Sequence, residues 1–186
     1  MIIGISGISG SGKTSLIKRL ESNLQATCLF WDEYDEISQG PEDYVEWYER
    51  SRNYADWKYD APADTLNKLT ACETIVCPAT KRTLQPTKHI LFDAPLGRCH
   101  HATGQYIDFL VCIDTPLDIA LARRLIRDYK NHLEPAKILE ELEYYLAHSR
   151  PLYILAPEVK QTSDLIIDGS LSIAEQERQV LQALKV

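Results

Sequence analysis

Ile2-Ile-Gly-Ile-Ser-Gly7-Ile-Ser-Gly-Ser-Gly12-Lys13-Thr14-Ser15 is an apolar run that breaks into glycines and ends on a lysine and two hydroxyls. From Gly7 to Thr14 it satisfies G-x-x-x-x-G-K-[ST] at every fixed position. Leu16, Leu20 and Leu24 then recur every fourth residue, which is one face of a helix. Strand, glycine loop and helix follow one another directly. Such a loop needs glycine because backbone N–H groups must wrap round phosphate oxygens in conformations that side chains obstruct, and the helix N-terminus adds positive partial charge. The spacing predicts that Gly7, Ser9, Gly10, Ser11, Gly12, Lys13, Thr14 and Ser15 bind the phosphates of a nucleoside triphosphate. Lys13 would neutralise the β- and γ-phosphates, and the Thr14 hydroxyl would ligate Mg²⁺.

Working outward, further strands are expected at Thr27 to Trp31, His89 to Phe92, Tyr106 to Ile113 and Leu165 to Ile167. Helical patterns lie between most of them. Asp114-Thr115-Pro116 reads as a helix start with Thr115 as cap, and Leu117, Leu121 and Leu125 as the buried stripe. Ser172-Ile-Ala-Glu175 has capping-box spacing and opens a last helix, buried through Ile173, Val180 and Leu184. Short apolar strands alternating with amphipathic helices predict an α/β fold, a parallel sheet with helices on both faces, because parallel strands need crossovers. With 186 residues and no repeat or linker, residues 1–186 read as a single domain.

Hydrophobic residues make up 45% and charged ones 25%, which sets aside disordered and collagen-like chains. The longest clean apolar run, Phe109 to Ile113, is too short to cross a bilayer. The N-terminal stretch lacks the basic flank of a signal peptide, so the chain is expected to stay in the cytoplasm. A net charge of −7 disfavours nucleic-acid coating or an anionic membrane surface. The charge is concentrated: residues 31–64 hold eleven acidic side chains against Arg50, Arg52 and Lys58, and eight of the sixteen aromatics. This insert is too long for a plain connection and reads as a small acidic, aromatic substrate lobe, helical from about Glu42 to Arg50. Five cysteines form no C-x-x-C pair, and Cys28 and Cys112 sit in apolar runs, so buried free thiols are expected there. Cys99-His100-His101 lacks a partner motif with zinc spacing and reads as a polar loop.

A GTPase switch would need D-x-x-G and N-K-x-D motifs. Asp93-Ala-Pro-Leu-Gly97 is one residue too long for the first, and Asn67-Lys-Leu-Thr70 lacks the final aspartate. Two carboxylates fall at expected strand ends, Asp32 and Asp93, which a parallel sheet brings to the crevice beside the glycine loop. Asp32 is suited to accept the proton of an attacking hydroxyl, and Asp93 to hold Mg²⁺ through water. The competing reading of each is a solvated turn or cap. Arg123, Arg124 and Arg127 share a helix within residues 116–132, the expected lid, where guanidiniums suit a phosphoryl group in transfer. Their alternative is a basic face paired with Asp118 or Asp128.

Gly7 to Ser15, Asp32-Glu-Tyr34, Asp60-Ala-Pro-Ala63, Arg123-Arg-Leu-Ile-Arg-Asp128 and Ser163-Asp-Leu-Ile-Ile167 together resemble, in order and spacing, the uridine kinase-like branch of P-loop kinases, which includes nicotinamide riboside kinases. The resemblance implies a P-loop NTPase fold with a five-stranded parallel core, a substrate lobe and an arginine lid, and ATP with Mg²⁺ as cofactors. It implies Asp32 as catalytic base, Asp32, Tyr34, Asp60 and Arg123 as substrate-binding residues with Asp60 gripping substrate hydroxyls, and Arg123, Arg124 and Arg127 as lid arginines, Arg124 at the nucleotide. Pro157 and Lys160 resemble the nucleotide-base loop before the last strand. The chain departs from the family pattern at Tyr34-Asp35, at Tyr129-Lys-Asn-His132 and near Pro78-Ala-Thr-Lys81, where pyrimidine-reading residues would stand.

The expected activity is transfer of the γ-phosphoryl group of ATP to a hydroxyl of a nucleoside-like molecule. The acidic lobe argues for a neutral or cationic acceptor, with nicotinamide riboside fitting through carboxylates and cation–π contact with Trp47 or Trp57. The alternatives are a kinase for another metabolite, such as pantothenate or a sugar phosphate, and a nucleotide-binding regulatory module without transfer. The implied partner is a small molecule rather than nucleic acid or membrane, and the assembly a monomer or homodimer.

Overall fold

The computed structural model describes residues 1–154 and 157–186. Its centre is strand β1 (Ile2–Gly7), buried at every position. That explains a nearly continuous apolar run where alternation would mark a half-exposed strand: both faces of a parallel sheet are covered. Helix α1 (Lys13–Leu24) follows the glycine loop and leads to β2 (Thr27–Leu29). A 3₁₀ turn (Trp31–Ile37), α2 (Tyr44–Arg50), a 3₁₀ turn (Tyr54–Asp56) and α3 (Asp60–Thr70) come next. An antiparallel pair, β3 (Ile75–Val76) and β4 (Thr83–Leu84), precedes β5 (Ile90–Asp93). After α4 (His101–Gly104) come β6 (Phe109–Asp114), α5 (Leu117–Tyr129), α6 (Pro135–Tyr144) and, past a π turn and the 3₁₀ turn Arg150–Tyr153, α7 (Pro157–Gln161). Strand β7 (Leu165–Asp168) and α8 (Ile173–Leu184) complete the chain.

The sheet has five parallel strands in the order β2-β5-β1-β6-β7. In this register Ile5 lies beside Asp93 on one side and Val111 on the other, so the C-terminal end of β1 opens between β5 and β6. Two apolar layers cover the sheet. On one face Ile3, Ile5, Leu91, Val111 and Ile167 meet Leu16, Ile17 and Leu20 of α1 and Val180 of α8. On the other, Ile2, Phe92 and Leu110 meet Trp31, Tyr34, Tyr59, Leu66 and Leu69. Among the described residues no helix is long and apolar enough to cross a membrane. Cys28 and Cys112 are buried free thiols, as is Cys77.

Several local expectations change. The strand read from Tyr106 begins only at Phe109, because the Tyr106 and Ile107 amides donate to the Thr103 and Gly104 carbonyls and finish the turn of α4. Thr115 does not cap α5. Pro116 occupies that position, and the buried Thr115 hydroxyl donates instead to the Ser11 carbonyl at 3.2 Å, tying the start of α5 to the glycine loop. Leu117, Leu121 and Leu125 are only half-buried, and Ala120 is the buried residue of that helix. Ser172 caps α8 by accepting from the Glu175 amide at 3.2 Å, but the Glu175 carboxylate turns to Arg178 instead of completing a capping box.

Candidate active site

The glycine loop takes its shape from three glycines at positive φ, Gly7, Gly10 and Gly12. Gly12, at φ +104°, has open space where a Cβ would be, so its backbone conformation alone calls for glycine. Gly10, at φ +82°, is also sterically confined: a Cβ there would lie 2.2 Å from the Ala120 carbonyl of α5. The loop therefore rests directly on the backbone of the helix that bears the arginines. Lys13 folds over the loop and donates to the carbonyls of Gly7 at 2.9 Å and Ile8 at 3.4 Å. Ser11 is fully buried and its side chain does not line the cavity; its carbonyl accepts from Thr115 and, at 3.5 Å, from Arg123.

A cavity of about 560 Å³ lies in front of the loop. Gly7, Ser9, Gly10, Gly12, Lys13, Thr14 and Ser15 form its floor, Asp32 and Asp93 one side, and Arg123 and Arg127 another. Asp32 is the second residue of the 3₁₀ turn after β2 and is exposed. Asp93 ends β5 and is buried, with its Oδ1 unpartnered. Burial pushes the Asp93 carboxyl up to about 6, the Lys13 charge opposing and the Asp32 charge adding to the rise. The Thr14 hydroxyl and this orphaned carboxylate oxygen are hard oxygen donors beside a phosphate cradle, the donor set that Mg²⁺ takes when it shares its coordination with nucleotide phosphates. Among the described residues no His/Cys/Asp/Glu group forms a self-sufficient metal cage, so a cation here would depend on the nucleotide's own oxygens.

The raised Asp93 value has a sign that can be checked. The folded protein holds this proton more tightly than the unfolded chain, so stability falls as pH rises from the ordinary value of 3.8 to about 6. Asp93→Asn should remove that slope. The difference in unfolding free energy between the wild type and the variant should change by up to about 3 kcal/mol across this interval. Parallel slopes in denaturant titrations would contradict the assignment.

The three arginines expected on a lid part company. Arg123 and Arg127, four residues apart on one face, both line the cavity. Arg123 donates to the Gly169 carbonyl at 3.0 Å, and Arg127 pairs with Asp128 at 2.6 Å. Arg124 is rotated about 100° from Arg123 and does not line the cavity: it forms an ion pair with Glu141 of α6 and lies 4.7 Å over the Tyr153 ring. It fastens α5 to α6.

Other expected residues also fall elsewhere. Tyr34 is fully buried, with its hydroxyl accepting from Cys77 Sγ at 3.4 Å, so it belongs to the core and not to an acceptor contact. Asp60, the first residue of α3, is exposed and does not line the cavity. Lys160 pairs with Asp114 at 2.7 Å and lines a second cavity of about 520 Å³ with Ile8, Thr115, Leu117 and Asp168. Pro157 opens α7 and lines neither cavity; its neighbour Val159 lines the first. His100 is occupied structurally, Nδ1 with Thr103 Oγ1 at 2.8 Å and Nε2 with the Trp57 carbonyl at 2.9 Å.

The wall facing the loop is aromatic. Tyr44, Trp47 and Tyr48 of α2 line it together with Arg52, Tyr54 and Trp57, while Leu152 and Ile154 come in from beyond α6. Trp57 stacks on Tyr44 with centroids 5.2 Å apart and meets Trp47 edge-on at 5.7 Å. Trp47 and Trp57 were expected near the acceptor; Tyr44, Tyr48, Tyr54 and Arg52 were not singled out. The spacing of residues 44, 47 and 48, one face of a helix, was a usable signal.

A glycine phosphate loop on a five-stranded parallel sheet, with carboxylates at neighbouring strand ends and an arginine-bearing helix across the mouth, defines a P-loop phosphotransferase. Residues 3–145 match the family model described as AAA domain. The uridine kinase of Anoxybacillus flavithermus is 28% identical over 184 residues, 90% of this chain and 85% of that protein. The uridine kinase of Borrelia duttonii is 30% identical over 186 residues, 89% and 85% of the two chains. Among solved structures, a possible uridine kinase from Bacillus stearothermophilus superposes with a TM-score of 0.55 at 19% identity, covering 90% of this chain and 88% of that one. The chain belongs to the uridine kinase-like family of P-loop kinases, and it is a small-molecule kinase.

Proposed function

We propose that the protein transfers the γ-phosphoryl group of ATP, with Mg²⁺, to a hydroxyl of a nucleoside-like small molecule in the cytoplasm, where its five free cysteines would stay reduced. The observation that carries this reading is a single cavity that joins the glycine loop, two carboxylates and two lid arginines to an aromatic wall. The loop amides and Lys13 hold the triphosphate. Arg123 and Arg127 meet the charge that spreads over the transferring group. Thr14 and Asp93 would hold Mg²⁺, which would supply neutralisation of the phosphate charge. Asp32 orients the acceptor hydroxyl and takes its proton as the new O–P bond forms. The aromatic wall gives a flat base a stacking surface on the side opposite the phosphates.

The test is incubation with ATP, Mg²⁺ and a panel containing uridine, cytidine, adenosine and nicotinamide riboside, following ADP release. Acceptor-dependent ADP is expected with at least one of them. ATP binding without acceptor-dependent ADP from any member would instead favour a regulatory nucleotide-binding module.

A further inference from the structure

The lobe of residues 31–64 carries eleven acidic side chains, few of which reach the cavity. Asp32 alone among them lines it, and Arg52 is the lobe's one basic lining residue. Around the whole cavity the basic side chains Lys13, Arg52, Arg123 and Arg127 outnumber the acidic Asp32 and Asp93. Lys13, Arg123 and Arg127 belong to the loop and the lid helix, where a triphosphate accounts for them. Arg52 stands on the acceptor lobe, where the triphosphate makes no demand. The expectation of a neutral or cationic acceptor rests on the lobe's summed charge, of which only the Asp32 share lines the cavity.

Arg52 is also held in an orientation that suits a ligand. Its backbone is left-handed, φ +47°, and its amide donates to the Trp47 carbonyl at 3.0 Å, closing the end of α2. Glycine or asparagine makes that turn with less strain, so the turn itself does not call for arginine. The guanidinium lies 4.2 Å over the Tyr48 ring, with Nε donating to the Tyr48 carbonyl at 3.3 Å. Ion pairs in and beside the lobe join Arg50 to Glu46, Lys68 to Asp64 and Arg82 to Glu33; among the described residues Arg52 has no carboxylate partner. The result is a planar donor fork, stacked on a ring and lacking an anion, in a wall otherwise built from Tyr44, Trp47, Tyr54 and Trp57.

We propose that Arg52 is a specificity-determining residue and that the acceptor is a flat-ringed, hydroxylated molecule bearing one carboxylate, which the Arg52 fork binds through paired N–H···O hydrogen bonds. A carboxylate's single charge matches one guanidinium. A phosphate would bring roughly −1.5 to −2 against the same cation, with Asp32 facing the same space. The proposal rests on the reading of this cavity as the acceptor site.

Two matched pairs test it: uridine against 5-carboxyuridine, and nicotinamide riboside against nicotinic acid riboside. Each is assayed by ADP release and by quenching of tryptophan fluorescence. In at least one pair the wild type should favour the carboxylated member by about tenfold to a hundredfold in KM. Arg52→Ala and Arg52→Gln should close that gap, and Arg52→Lys should restore only part of it, since lysine keeps the charge but loses the planar fork. A thermal melt of each variant checks folding, and Arg52→Gln retains most of the side chain's length. Equal KM values within both pairs, or variants that raise both members alike, would make Arg52 a helix-end arginine only and overturn the proposal while leaving the kinase reading in place. No ADP release and no quenching with any of the four compounds would overturn the proposal, and the same result with cytidine and adenosine as well would sink the transfer reading too.

Discussion

Asp32→Asn is expected to lower turnover by about two to four orders of magnitude while leaving ATP affinity nearly intact. The amide keeps the shape of the carboxylate but cannot take a proton from the attacking hydroxyl, and Asp32 lines the cavity without belonging to the phosphate loop. Calorimetry with an unreactive ATP analogue, set beside steady-state rates, separates the two effects. Unchanged turnover would remove Asp32 from its role. A second readout is independent of activity. The Asp32 charge contributes to the raised proton affinity of Asp93, so the variant should titrate Asp93 at a lower pH, visible in carboxyl carbon chemical shifts.

Lys13→Ala should weaken both binding and turnover. Loss of a charged donor to the phosphates is expected to cost about tenfold to a hundredfold in ATP affinity, and a further ~100-fold or more in rate as charge builds on the transferring group. Here the Asp93 titration should move the other way, upward, because the Lys13 charge holds it down. Lys13 also donates to the Gly7 and Ile8 carbonyls, so a thermal melt is needed to separate a loosened loop from a lost phosphate contact. ATP affinity equal to that of the wild type would contradict the phosphate assignment.

The glycine loop and the sheet were legible in the sequence because their signals are positional: G-x-x-x-x-G-K-[ST] encodes a backbone path, and the apolar runs of β1 and β6 encode burial on two faces. The side chains misread were those whose direction depends on helical rotation. Asp32 and Tyr34 are two residues apart in a 3₁₀ turn, which sets them roughly 240° apart. One therefore faces the cavity and the other enters the core. In α5 the α-helical rotation of about 100° per residue divides Arg124 from Arg123. Arg52 escaped notice for another reason. A charge count over residues 31–64 sums its members but carries no direction, and of its eleven acids only Asp32 lines the cavity. Thr115 was read as a cap from local chemistry, but its hydroxyl partner lies over a hundred residues away in sequence, at Ser11.

Trp31, Tyr34 and Tyr59 share one hydrophobic layer with Phe92 and Leu110 of the sheet, and the Trp31 and Tyr59 rings stack at 4.1 Å. The segment of residues 31–64 is thus rooted in the molecule's interior and is not clipped on as a removable cassette. Exchanging residues 31–64 with a relative's in order to retarget the enzyme would cut through that layer, leaving two mismatched halves of one core. Chimeras meant to change substrate preference should instead preserve the rooted aromatics and graft only the face of α2 and the turn beyond it.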